Sequence, residues 1–129
     1  MLKTATLIME GKPVGHSVQY MKRMDETFTT CDTDNEAVLT DPQSLIRFYE
    51  QHCIERTRKA ATKMQEIITE KGINPKRAWN EYAGLELVEV GVAYGFQWMV
   101  SNYFNAIEQR CNDPALKKVL VKLFTLYAV

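Results

Sequence analysis

The sequence predicts an all-α fold: a partial bundle of about three long helices preceded by an irregular strap. Three observations carry this reading. An Asp or Asn stands directly before a proline at Asp41-Pro42, Asn74-Pro75 and Asp113-Pro114. After each pair, apolar residues recur at steps of three and four. No stretch alternates apolar and polar residues convincingly enough for a half-buried strand, and no internal repeat is present.

Residues 1–10, "MLKTATLIME", read as the end of a helix that Gly11 stops. Residues 11–40 hold Gly, Pro, Thr and Asp throughout, with little periodicity, and read as a long irregular strap lying over something else. A structureless connection of that length is unusual within a compact domain. Residues 41–129 read as one helical region. Asp41 caps the unpaired amides of its first helix, while Pro42 takes the first helical position, where a missing N–H costs nothing. Leu45, Phe48, Tyr49, Cys53, Ala60, Met64, Ile67 and Ile68 follow one face. Glu55 precedes Lys59 by one turn on another face, and Lys71-Gly72 is a sound stop.

Asn74-Pro75 opens a second segment, expected to continue as a single helix to about Arg110 over roughly 50 Å. From Val90 to Ile107 it carries no charged residue. Gln97, Ser101, Asn102 and Asn105 interrupt that run, and no basic flank follows at once, so a membrane span is rejected. A helix apolar around most of its circumference is instead a central one, surrounded by others. Gly84, Gly91, Ala93 and Gly95 are expected to let neighbouring backbones come close, although each glycine weakens the helix by roughly 1 kcal/mol relative to alanine.

Asp113-Pro114 opens the last helix. Leu116, Val119, Leu120, Leu123, Phe124 and Tyr127 form its apolar stripe, opposite Lys117, Lys118 and Lys122. The pattern is still running at Val129, and the helix at residues 1–10 shows no start. The expectation is a cut from a larger protein, with more apolar surface on the central helix than two partial neighbours cover.

At 129 residues the chain is at most one modest domain, and 46% hydrophobic with 25% charged residues is ordinary for a globular protein. Sixteen basic residues balance 16 acidic ones, which leaves no bulk electrostatic pull on nucleic acid or anionic lipid. Cys31, Cys53 and Cys111 are an odd, widely spaced set that suits neither a disulfide framework nor zinc, and they read as reduced thiols. Thr4 and Thr6 break the apolar part of the first residues and no small-residue cleavage site follows, so no signal peptide is assigned.

Candidate chemistry is thin. Glu86 and Glu89 lie one turn apart with Glu81 before them, but a di-iron bundle uses Glu-x-x-His, and position 89 is Glu. His16 and His52 are on other segments, so the ligands for such a site are too few. His52 and Cys53 are neighbours, and neighbours on a helix point about 100° apart rather than towards each other. The stretch "GKPVG" at Gly11 to Gly15 lacks the Gly-Lys-Ser/Thr end of a phosphate loop. Trp79, Tyr82, Phe96, Trp98, Tyr103 and Phe104 could stack on a flat cofactor, but on a buried helix they read as core. No catalytic, cofactor-binding or metal-ligating residue is assigned.

The stretches "KRAWNEYAGLELVEVGVAYGFQWMVSNYF" and "DPALKKVLVKLFTLYAV" resemble the C-terminal helical region of the peroxisomal acyl-coenzyme A oxidases. Ala78-Trp79-Asn80, Leu87-Val88, and the Asp113, Ala115, Val119-Leu120, Leu123 and Leu126-Tyr127 series fall where that family has equivalent residues. "EGKPVGHSVQYM", through Gly11, Lys12, Val14, Gly15, Val18 and Tyr20, resembles the family's strap between two helical regions. The family commonly has an acidic residue and a histidine where this chain has Val92 and Tyr94, so no polar role carries over to that pair. The chain ends Tyr-Ala-Val and so lacks the peroxisomal targeting tripeptide.

The resemblance implies that the complete enzyme is a flavin-dependent oxidase of fatty acid β-oxidation, located in the peroxisome. In such an enzyme a glutamate removes the α-proton of an acyl-coenzyme A, FAD takes the β-hydride, and oxygen reoxidises the flavin to give hydrogen peroxide. By that resemblance, the chain begins after the catalytic glutamate and stops partway through a second helical region that packs in a homodimer. It would supply scaffold, with the rest of the oxidase chain and a second subunit as partners, and neither bind FAD nor catalyse oxidation by itself. The alternative is a stand-alone helical module that binds a partner helix or dimerises through its long apolar segment.

Overall fold

Each Asp-Pro or Asn-Pro pair opens a helix with the bonding its residues dictate. In the computed structural model, which describes residues 2–24 and 36–129, the Asp41 carboxylate accepts hydrogen bonds from the Ser44 amide and hydroxyl, both at 2.7 Å. Asn74 Oδ1 accepts from the Arg77 amide at 2.9 Å. Asp113 Oδ1 accepts from the amides of Ala115 at 2.8 Å and Leu116 at 3.1 Å. These bonds satisfy donors that a helix start otherwise leaves unpaired.

The elements in chain order are α1 (Leu2–Met9), a 3-10 helix (His16–Arg23), α2 (Glu36–Thr40), α3 (Pro42–Lys71), α4 (Pro75–Glu81), α5 (Gly84–Arg110) and α6 (Pro114–Ala128). No strand occurs among the described residues, and the fold is all-α. Gly11 and Gly72 end α1 and α3 at φ of 68° and 60°, the left-handed region that disfavours a side chain. Gly72 returns its amide to the Ile68 carbonyl at 3.0 Å.

Two expectations fail here. The segment from Pro75 to Arg110 is two helices, because the chain turns at Tyr82 and Ala83. There the amides of both residues return to the Ala78 carbonyl, at 3.2 and 3.1 Å, and Ala78 and Ala83 are both completely buried beneath the turn. Gly84, a poor helix former, then starts α5 without a side-chain cap. The strap, in turn, is not irregular throughout: it contains the 3-10 helix and α2. Residues 25–35, including Cys31, lie outside the described residues.

The 30-residue α3 and the 27-residue α5 run antiparallel as the central pair. Towards the middle of the pair Cys53 and Ile54 of α3 meet Ala93 of α5, with Tyr20 and Met21 of the 3-10 helix and Ala5 of α1 laid over them. Nearer the start of α3 and the close of α5, α6 folds back, and Phe124 packs with Leu45, Val100 and Ile107. Tyr49 of α3 donates to the Ala128 carbonyl at 3.0 Å and ties down the end of α6.

The buried seam of α3 differs from the expected face. Leu45, Cys53, Ala60 and Ile67 are buried, but so are Ile54 and Thr57, whereas Phe48 is exposed and Met64 and Ile68 are half-covered. Thr57 fits the core because its hydroxyl donates to the Cys53 carbonyl within the helix, at 2.8 Å. The glycines of α5 do not mark close approach among the described residues: none of their atoms outside the local helix lies within 4 Å of where a Cβ would stand on Gly84, Gly91 or Gly95. Only Ala93 of that group is buried.

Candidate functional site

Two surfaces stand out among the described residues. The first is apolar. Leu85, Val88, Val92, Phe96 and Met99 step along α5 at helical spacing, and all are exposed, Leu85 by 71% and Val88 by 63%. The stripe continues onto α6, since Tyr127 donates to the Met99 sulfur at 3.9 Å and its ring lies 5.7 Å from that of Tyr103. From Tyr127 it follows Leu123, Val119 and Leu116, each about half exposed. The apolar stripe expected on α6 is therefore only partly inside: Phe124 is fully buried and Leu120 half-buried. A contiguous apolar face of this kind marks an interaction surface.

The second surface is a polar cleft of about 400 Å³ between the 3-10 helix, α3 and α5. Its α5 wall is the uncharged polar stripe of Gln97, Ser101, Asn102 and Asn105, with Trp98 beside it; His16, Gln19 and Arg23 face it from the 3-10 helix. Arg23 forms an ion pair with Glu50 of α3. Gln97 donates from Nε2 to Ser101 Oγ at 3.0 Å, but its Oε1 is buried with no partner among the described residues. The polar run was readable in the sequence. Its pairing with the strap was not, because nothing local predicts where an irregular segment lies.

The residues weighed for chemistry are scattered. Glu81 of α4 bonds Arg77 at 2.9 and 3.0 Å, Glu89 pairs with Arg56 of α3 at 2.8 Å, and Glu86 faces a shallow surface hollow beside Arg58 and Lys59. No group of three or more His, Cys, Asp or Glu side chains suited to a metal ion occurs among the described residues. Cys53 points into the core, where it accepts a hydrogen bond from the Tyr20 hydroxyl, while His52 is half-buried and His16 lies in the polar cleft. Of the six aromatic residues expected in the core, only Tyr103 and Phe104 pack there, against Phe124 at ring separations of 5.6 and 5.3 Å. Trp79, Tyr82, Phe96 and Trp98 are exposed, since no described element covers those sides of α4 and α5. Tyr82 instead carries the Lys71 ammonium over its ring at 4.7 Å. No described helix is long and apolar enough to cross a membrane.

This helical arrangement has known counterparts. It superposes on the crystal structure of acyl-CoA oxidase 1 from Yarrowia lipolytica with a TM-score of 0.80, at 23% identity, over 98% of this chain and 18% of that one. Acyl-CoA oxidase 3 from the same organism gives a TM-score of 0.77 at 22% identity, again over 98% and 18%. The fold is thus that of a helical part of such oxidases.

Sequence agrees with shape. The family model of acyl-CoA oxidase matches residues 41–129. A curated relative, acyl-coenzyme A oxidase 2 of Yarrowia lipolytica, is 24% identical over 129 residues, all of this chain and 18% of that protein. The chain belongs to the acyl-CoA oxidase family, and it spans less than a fifth of the length of the relatives it matches.

Proposed function

We propose that this chain is the C-terminal scaffold and subunit-packing portion of a FAD-dependent acyl-CoA oxidase. The reaction of the complete enzyme is oxidation of an acyl-CoA by oxygen to a trans-2-enoyl-CoA and hydrogen peroxide, a step of fatty acid β-oxidation in the peroxisome. The observation that carries the reading is the apolar face running from Leu85 to Phe96 on α5 and from Tyr127 to Leu116 on α6. A helical layer with its inner seam filled and one long side left open by the described residues is built to be covered by other protein. The remainder of the oxidase chain and a second subunit of a homodimer are the covers proposed. FAD supplies the redox chemistry of the complete enzyme; this segment supplies shape.

The test is reconstitution. The chain alone, purified, should carry no yellow flavin and release no peroxide from an acyl-CoA. The acyl-CoA oxidase 1 of Yarrowia lipolytica, cut back by the region that superposes here, should bind this chain and regain peroxide production. Failure to associate, with both pieces folded, would overturn the scaffold reading. It would leave the alternative of a self-associating helical module, which the same apolar face supports and which sedimentation of the isolated chain would reveal as a discrete oligomer.

A further inference from the structure

The cleft along the uncharged polar stripe of α5 shares no residue with the apolar face that carries the scaffold reading. Gln97, Ser101 and Asn105 recur every four residues on one side of α5, and the 3-10 helix lays His16 and Gln19 across from them. The cleft between them, about 400 Å³, falls in the size range of small-molecule sites.

Most of its lining is uncharged. Arg23 is committed to Glu50, and no cluster of metal-ligating side chains occurs among the described residues. Apart from the Arg23–Glu50 pair, His16 and Trp98, what lines the cleft is carboxamides and hydroxyls, which both donate and accept. Gln97 is 4% exposed, and its Oε1 is an acceptor without a donor among the described residues. Such a buried group is unfavourable until a donor reaches it, and the soft terminal torsion of glutamine lets the carboxamide turn into the cleft. Asn102 is anchored through Nδ2 to the Trp98 carbonyl at 2.8 Å, which leaves its Oδ1 as a second acceptor. Trp98 is half exposed, so its indole offers a flat apolar plate beside these acceptors.

We propose that this cleft binds a neutral polyhydroxylated small molecule, a sugar, whose hydroxyls donate to Gln97 and Asn102 and whose C–H face lies on Trp98. The inference stands apart from the scaffold reading, since the cleft does not include the apolar face.

The test uses maltose and glucose as probes on the purified chain. Indole and side-chain amide resonances are followed by ¹H–¹⁵N correlation spectra in a W79F background, where Trp98 is the remaining tryptophan. Saturable shifts of the Trp98 indole and the Gln97 carboxamide are expected with a sugar. Weakening by roughly tenfold or more is expected in Q97M, which keeps the side-chain shape but removes the orphaned acceptor. W98A, a surface change, should weaken binding with the circular dichroism spectrum unchanged. Absence of saturable shifts, equal binding by Q97M and W98A, or saturation by triglycine amide but not by either sugar would each overturn the proposal.

Discussion

The Tyr20 hydroxyl donates to the Cys53 sulfur at 3.1 Å, across 33 residues of chain, and both groups are buried. The contact fastens the strap to the middle of α3, because Met21 sinks completely into the same cluster. Neither partner tolerates charge there. Burial pushes the Cys53 thiol above its ordinary value of 9.0, and burial together with the bond to Cys53 pushes the Tyr20 hydroxyl far above 10.0.

This makes stability fall in alkali. An acid whose pKa is raised by folding holds its proton longer in the native state, so the unfolded state binds fewer protons as pH climbs. The stability is complete below the unfolded value and is lost as pH rises from there through the folded value. Urea midpoints should therefore be flat up to about pH 9 and then decline, with Cys53 leading and Tyr20 and Tyr49 following. The double variant Y20F/C53A should flatten much of that decline, leaving the smaller contribution of Tyr49, which burial also raises. An unchanged alkaline slope in the double variant would refute the account.

Acid acts through a different residue. The bonds from Ser44 hold the Asp41 carboxyl below its ordinary value of 3.8. A depressed carboxylate contributes stability above its unfolded pKa, lost as pH falls through the folded value. D41A should cost about 1 kcal/mol at neutral pH by removing the cap. D41N should retain most of the cap yet lose the acid-side dependence. The check is denaturation of the three proteins at neutral pH and at about pH 3, bracketing the carboxylate range.

The caps were legible from the sequence because capping is local: Asp41, Asn74 and Asp113 act within three residues of themselves. Other features depended on distant neighbours. Apolar periodicity continues across Tyr82 and Ala83, so nothing in the pattern announced a break made by a turn over two buried alanines. The 3-10 helix was hidden for the same reason, since its anchor is Cys53, far along the chain. On α3 the sequence reading placed Phe48 on the buried face and left Ile54 off it. The position of the 3-10 helix decided for Ile54. The polar half of the cleft could be read on α5, but its other wall could not.

Phe124 should prove to be the residue that holds α6. It is completely buried and packs against Tyr103 and Phe104. F124A should cost about 3–5 kcal/mol, the range for emptying an aromatic site in a core. Two residues on, Leu126 is 79% exposed, and L126A should change stability by about 0.5 kcal/mol or less. The contrast is read by urea denaturation of both variants. Comparable losses would mean that α6 does not pack as described.

The apolar face of α5 makes the opposite prediction, one of binding rather than stability. Val88 and Val92 are 63% and 53% exposed, one turn apart, and neither contributes to a buried cluster. Lysine has the better helix propensity, so V88K/V92K should leave the unfolding free energy of the isolated chain within about 1 kcal/mol of the parent. Desolvating two ammonium groups against an apolar partner is strongly unfavourable, however. The variant should bind less of a hydrophobic dye, self-associate less, and fail to join the shortened oxidase in the reconstitution. These readouts separate a surface that awaits a partner from one that merely tolerates water. If the double lysine variant assembled as well as the parent, the stripe from Leu85 to Phe96 would not be the contact surface.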